Sequence, residues 1–94
     1  MIIGSCRIWL RADWVNSLKE KRTVVKGITD KVKNKFNVSI AEVENQDMHK
    51  EIGLGFACVT NESRHAQSVM QNVVAFVEGN TDAEVVEVQT EVLY

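Results

Sequence analysis

Ser17-Leu18-Lys19-Glu20-Lys21-Arg22-Thr23-Val24-Val25-Lys26-Gly27-Ile28-Thr29-Asp30-Lys31-Val32-Lys33-Asn34-Lys35-Phe36 is the stretch around which the other residues of the 94-residue chain take their places. At about 100° per residue, Leu18, Val25, Ile28, Val32 and Phe36 share one face, the pattern of a helix laid on a core. Ser17 followed three residues later by Glu20 has the form of a capping box, so the helix is expected to begin at Ser17. Gly27 costs about 1 kcal/mol relative to Ala in mid-helix. It marks a close approach to another element or has no role.

Ahead of this helix, Ile2 to Leu10 alternates: Ile2, Gly4, Cys6, Ile8 and Leu10 face one way, Ile3, Ser5, Arg7, Trp9 and Arg11 the other. This is a strand with one apolar and one mixed face. Ala12 to Asn16 joins it to the helix without a Gly. Asn37 is the expected C-cap, and Val38 to Asn45 is β-rich but changes phase. A bulge, or an edge strand on which Glu42 and Glu44 guard against aggregation, explains that change. Gln46 to Lys50 reads as a turn. Ile52, Leu54, Phe56 and Cys58 form the core face of a third strand, opposite Gly53, Gly55 and Ala57.

A second helix, capped by Asn61 or Ser63, carries Ala66, Val69, Met70, Val73, Phe76 and Val77 at three-to-four spacing and ends at Gly79 as its C-cap. A last strand, Ala83 to Leu93, alternates Val86, Val88, Thr90 and Val92 against Glu87, Gln89 and Glu91. The order strand, helix, strand, strand, helix, strand predicts the split βαβ arrangement: an α+β fold with a four-stranded antiparallel sheet and both helices on one face. Residues 1–94 make one domain, long enough to bury about 60–65% of its unfolded surface. The open face is then expected to show Arg7, Trp9 and Arg11 beside small Gly53, Gly55 and Ala57, with the two arginines paired to Glu87 and Glu91 across the strands.

The net charge of −2 is unevenly placed. Residues 1–40 hold nine Lys and Arg against Asp13, Glu20 and Asp30; residues 41–94 hold Lys50 and Arg64 against ten acids. Lys19, Arg22, Lys26 and Lys33 line one flank of the first helix, with Lys21 and Lys35 at its margins. Glu20 and Asp30, the only acids there, promise little neutralisation from within. A line of cations suits a phosphate backbone, because each neutralised phosphate releases condensed counterions. The competing reading is a solvated flank whose Lys stems cover apolar rim.

The N-terminus lacks a basic leader followed by an unbroken apolar run, and no apolar stretch approaches the length of a membrane span. The expectation is a cytoplasmic protein with no membrane contact. Cys6 and Cys58 lie in apolar strands without C-x-x-C spacing and read as buried reduced thiols.

No catalytic residue, metal ligand set or cofactor motif emerges, so an enzyme is not the favoured class. Glu44, Asp47, His49 and Glu51 offer carboxylates and an imidazole on a hairpin, at a spacing that enforces no ligand geometry. His65 stands alone at the start of the second helix. Ile8-Trp9-Leu10 and Gly55-Phe56-Ala57 loosely echo the base-stacking strands of RNA-recognition modules. The phase nevertheless puts Phe56 in the core, and Cys58 and Asn61 occupy positions that should be aromatic. Ala12-Asp13-Trp14-Val15-Asn16 lacks the Gly-rich loop and Arg of an acylphosphatase, and the same missing Gly counts against an ACT-type amino-acid sensor.

Ser17-Leu18-Lys19-Glu20-Lys21-Arg22, then Asn34-Lys35-Phe36-Asn37-Val38-Ser39-Ile40-Ala41-Glu42-Val43 and Gln46-Asp47, resemble the bacterial YlxP-like family, DUF503, over nearly the whole chain, and Asn61 to Val77 resembles its second helix. The resemblance implies a ferredoxin-like domain, genes beside translation-initiation and ribosome-maturation factors, and no assigned activity, cofactor or catalytic residue. It also implies an aromatic soon after Asp47, where this chain has Met48 and His49.

Two functional expectations follow. The first is an accessory protein that binds RNA or ribosome-associated factors through Lys19, Arg22, Lys26 and Lys33. The second is a structural or regulatory module whose open sheet, around Trp9, Arg7, Gly53 and Gly55, holds a protein partner or a second copy of the chain as a homodimer.

Overall fold

The computed structural model describes residues 1–94. Six elements follow one another: β1 (Ile2–Arg11), α1 (Leu18–Lys35), β2 (Ser39–Glu44), β3 (Glu51–Thr60), α2 (Ser63–Gly79) and β4 (Glu84–Leu93). The strands pair antiparallel in the order β2-β3-β1-β4, and the buried faces of both helices join one cluster with one face of that sheet. This is the expected ferredoxin-like βαββαβ fold.

The alternation of β1 and β3 produces it. Ile8, Leu10, Ile52 and Leu54 are completely or almost completely buried, against Val25, Ile28 and Val32 of α1 and Met70, Val73 and Val77 of α2. Burying each such side chain contributes about 1.5–3 kcal/mol. Gly4 lets α2 approach the sheet, since a Cβ there would lie 3.0 Å from Cys58 Sγ and 3.3 Å from both Ala66 Cβ and Met70 Sδ. A Cβ on Gly27 would meet nothing within 4 Å, so that glycine marks no close approach.

Two bulges set the phase of the edge strands. Glu42 opposes Leu54 and Glu44 opposes Gly53, leaving Val43 as the extra residue of β2. In β4, Val85 opposes Leu10 and Glu87 opposes Trp9, so Val86 is extra. Val85 therefore takes the core position expected of Val86, which lies 62% exposed.

The helix ends differ in detail from the expectation. Ser17 Oγ accepts from the Glu20 N–H at 3.1 Å, one half of a capping box. The cap of α1 at its far end is Phe36, not Asn37. Glu62, rather than Asn61 or Ser63, occupies the N-cap of α2 and makes no side-chain cap bond. Gly79 is the last helical residue and has no positive φ; Asn80 is the cap, and its Nδ2 donates to the Phe76 carbonyl at 2.8 Å.

β2 is short and starts opposite Ala57, so the end of β3 beyond that residue has no neighbour on its β2 side. α1 ends at Lys35, shortly before β2 begins at Ser39. Phe36 at its foot meets Phe76 near the end of α2, edge to face with centroids 5.5 Å apart. No helix is long and apolar enough to cross a membrane.

Candidate functional site

The Ser17 cap fixes where α1 begins, and the helical period then separates its cations. Lys19, Arg22, Lys26 and Lys33 are all exposed, on one flank. Lys19, Arg22 and Lys33 form no ion pair, whereas Lys26 Nζ meets Asp30 Oδ2 at 2.6 Å one turn on. Asp30 thus neutralises one member of the line, more than the composition led us to expect. At 76% side-chain exposure for Lys26, that pair is worth about 0.3–0.5 kcal/mol and opens readily to a competing anion.

Lys35 lies with Nζ 5.1 Å from the Phe76 ring centroid, a cation–π contact, and Lys31 Nζ donates to the Asn80 carbonyl at 3.3 Å. Both tie α1 to the end of α2.

Lys21 does not sit at the margin of the basic line. It is 1% exposed, its Nζ stands 2.8 Å from Glu42 Oε2, and it donates a hydrogen bond to the Asn45 carbonyl. Asn45 adopts the left-handed conformation, φ 63°, which an Asn tolerates and which turns that carbonyl toward the helix. Oε2 of Glu42 is itself buried, and the Lys21 ammonium at 2.8 Å is what balances its charge. Glu42 is consequently no solvent-facing guard of the edge strand but the inner half of a tether between α1 and β2.

On the open face, Trp9 Nε1 donates to Glu44 Oε2 at 2.7 Å and Arg7 Nη1 lies 3.5 Å from Glu44 Oε1. The β2 bulge carries Glu44 over Gly53, where a Cβ would come within 2.7 Å of Glu44 Cβ, and Val43 over Gly55. The glycine floor is therefore covered by β2, and Trp9 is held at its edge. The arginines find partners other than β4: Arg7 pairs with Glu44, and Arg11 with Asp13 at 2.6 Å and Glu51 at 3.4 Å. Glu87 and Glu91 make no ion pair with them.

The same face bears an apolar row at its far end. Ile3 is directly opposite Val59 on one side and Leu93 on the other. Val59 is 69% exposed and Leu93 44%. A depression of about 420 Å³ lies on this face, lined by Ser5, Arg7, Ala41, Glu44, Gly55 and Ala57 among others. Its charged groups, Arg7 and Glu44, face each other and do not converge on a common point.

Glu44, Asp47, His49 and Glu51 are not brought together: the first and last are engaged as above, and Asp47 and His49 are exposed. Cys6 and Cys58 are buried free thiols, as expected, and burial pushes the Cys6 thiol up to about 11, well away from thiolate chemistry.

The connection Ala12 to Asn16 passed over in the sequence is sharply built. Val15 N–H donates to the Ala12 carbonyl at 3.1 Å, closing a turn with Asp13 and Trp14 at its tip. Lys50 Nζ donates to the carbonyls of Asp13 and Val15, the latter at 3.1 Å. The Ala12 N–H donates to the Lys50 carbonyl at 2.7 Å.

Residues 3–90 match the family model described as "Protein of unknown function (DUF503)". The chain is 41% identical over 68 residues to the Bacillus subtilis (strain 168) "Uncharacterized protein YlxP", covering 72% of this chain and 74% of that protein. Among solved structures it is similar to the de novo designed protein Foldit4, with TM-score 0.53 and 12% identity over 99% of this chain and 96% of that one. A de novo designed protein with ferredoxin fold, LFR1 1, gives TM-score 0.53 and 16% identity over 100% and 87%. The two designed proteins speak to the fold alone.

Proposed function

The chain belongs to the DUF503 family, and for this member we propose a small accessory protein that binds RNA or a ribosomal particle through Lys19, Arg22, Lys26 and Lys33. The supporting observation is that Lys19, Arg22 and Lys33 remain in water without an acid partner while Lys26 holds only a neighbour on its own helix. The acid-rich second half of the chain does not cover them. Three unpaired cations along one helix flank, with the positive end of the helix dipole at its head, attract phosphates and provide no means of reading bases.

RNA binding measured across a salt series tests this. Reversing Arg22 and Lys26 to Glu weakens binding and flattens the dependence of log K on log salt by about 1 per cation removed. Affinity and slope that match the wild type in that double variant refute the reading.

A second reading, a partner or second copy held on the open sheet, draws on the row Leu93, Ile3 and Val59 more than on Trp9, whose indole N–H is already engaged by Glu44. Sedimentation of the wild type, Trp9→Ala and Val59→Glu distinguishes the two centres. Dimers abolished by Val59→Glu but retained in Trp9→Ala place the contact at the row; a monomer in all three removes the dimer.

A further inference from the structure

We propose that Trp14 is a stacking platform for one unpaired nucleobase at the head of the α1 cation line, which makes the ligand a single-stranded RNA. The inference rests on the reading of α1 as a phosphate-binding flank.

Trp14 is held out, not left out. Both feet of its turn, Ala12 and Val15, are 0% exposed, so the tip has no freedom to fold inward. The carbonyls on either side of Trp14 are gripped by one ammonium, Lys50 Nζ, which makes no ion pair. The result is an indole with 46% of its surface in water on a backbone fixed at both ends. A turn tip ordinarily takes Asn, Asp, Gly or Ser, whose side chains or φ freedom serve the turn. Trp supplies neither, and here nearly half of its surface stays in water.

The surroundings favour a nucleic acid as the occupant over an apolar protein surface. Of the neighbouring acids, Asp13 and Glu51 share one partner, Arg11, at 2.6 Å and 3.4 Å, and Glu20 in the first turn of α1 makes no ion pair. Against Asp13, Glu20 and Glu51 stand Arg11, Lys19, Arg22 and Lys50, so the balance of these groups around the turn is positive by one charge. Trp14 precedes Lys19 by five residues, at most about 18 Å of chain. A strand whose phosphates follow the α1 flank therefore passes the turn. Base faces are hidden inside a duplex and open in a single strand, so an indole can add affinity only to the latter, and it does so without sequence preference.

The test compares a fluorescently labelled single-stranded uridine oligonucleotide with a labelled RNA duplex of the same length, both read by anisotropy at low salt. Trp14→Ala, shown by its thermal melt to be folded, is expected to bind the single strand about tenfold more weakly, the loss of one stacked base. It should bind the duplex as the wild type does, and Trp14→Phe should restore most of the single-strand affinity.

Unchanged single-strand affinity in Trp14→Ala overturns the stacking role, and is the outcome expected if Trp14 anchors a protein. Equal losses on both RNAs overturn it as well. If Arg22→Glu with Lys26→Glu still abolishes binding in either case, the phosphate reading survives and only the stacking falls. A wild type that binds neither RNA ends both.

Discussion

Glu42 and Glu44 on β2 each reach a partner, Lys21 for the first and Trp9 with Arg7 for the second, whereas Glu84, Glu87 and Glu91 on β4 form no ion pair. Both strands are sheet edges rich in glutamate, and the difference lies in what stands beside them. α1 runs against β2 and offers a lysine from its inner face, while the bulge at Val43 turns Glu44 onto the open side within reach of β1. No cation of α2 or β1 pairs with β4. There the acids keep the role of solvated charges that discourage edge-to-edge pairing. One residue type thus tethers at one edge and repels at the other.

The largest expected effect breaks the tether. Lys21→Met leaves Glu42 largely buried and unpaired, and about 3 kcal/mol should be lost by urea unfolding. The double variant Lys21→Met with Glu42→Leu should recover most of it, because an apolar pair of similar volume replaces the ion pair without its desolvation. A loss below about 1 kcal/mol in the single variant would make the two edges equivalent in energy.

Gly53→Ala tests the other contact of β2. Its Cβ would lie 2.7 Å from Glu44 Cβ and 3.0 Å from the Glu44 carbonyl oxygen. The backbone there must shift, at a cost of about 2 kcal/mol. Amide exchange should quicken along β2 and stay unchanged along β4.

Gly27→Ala sharpens the view that the outer side of α1 is free of neighbours: it should stabilise the protein by about 1 kcal/mol with no effect on either edge. Smallest of all, Glu87→Gln with Glu91→Gln should change the unfolding free energy by less than about 0.5 kcal/mol. A larger loss would reveal a partner for β4 acids and dissolve the contrast.

Most of the fold was legible because β1 and β3 obey a period of two over ten residues each and α1 keeps one apolar face throughout. The tether was legible as well, and was missed by counting Lys21 with the other cations. Leu18, Lys21, Val25, Ile28 and Val32 follow the three-then-four spacing of a buried seam, and Glu42 shares the inward phase of Ile40. An ionisable residue on each of two core-facing stripes is a signal for a pair.

The partners of Arg7 and Arg11 could not be read in the same way. They depend on a bulge that moves Glu44 by one position and on a turn that brings Asp13 back toward Arg11. Such local insertions follow from packing and leave no period behind. The turn under Trp14 was hidden for a related reason: its rigidity comes from Lys50, thirty-six residues away in the chain.

The unequal exposure of Trp9 and Trp14 gives the protein two internal optical probes of different colour. Trp9, partly buried on the sheet, should emit toward the blue, and Trp14, 46% exposed at the tip of its turn, toward the red. Events at the turn ahead of α1 and on the open sheet can therefore be followed separately in one unlabelled sample.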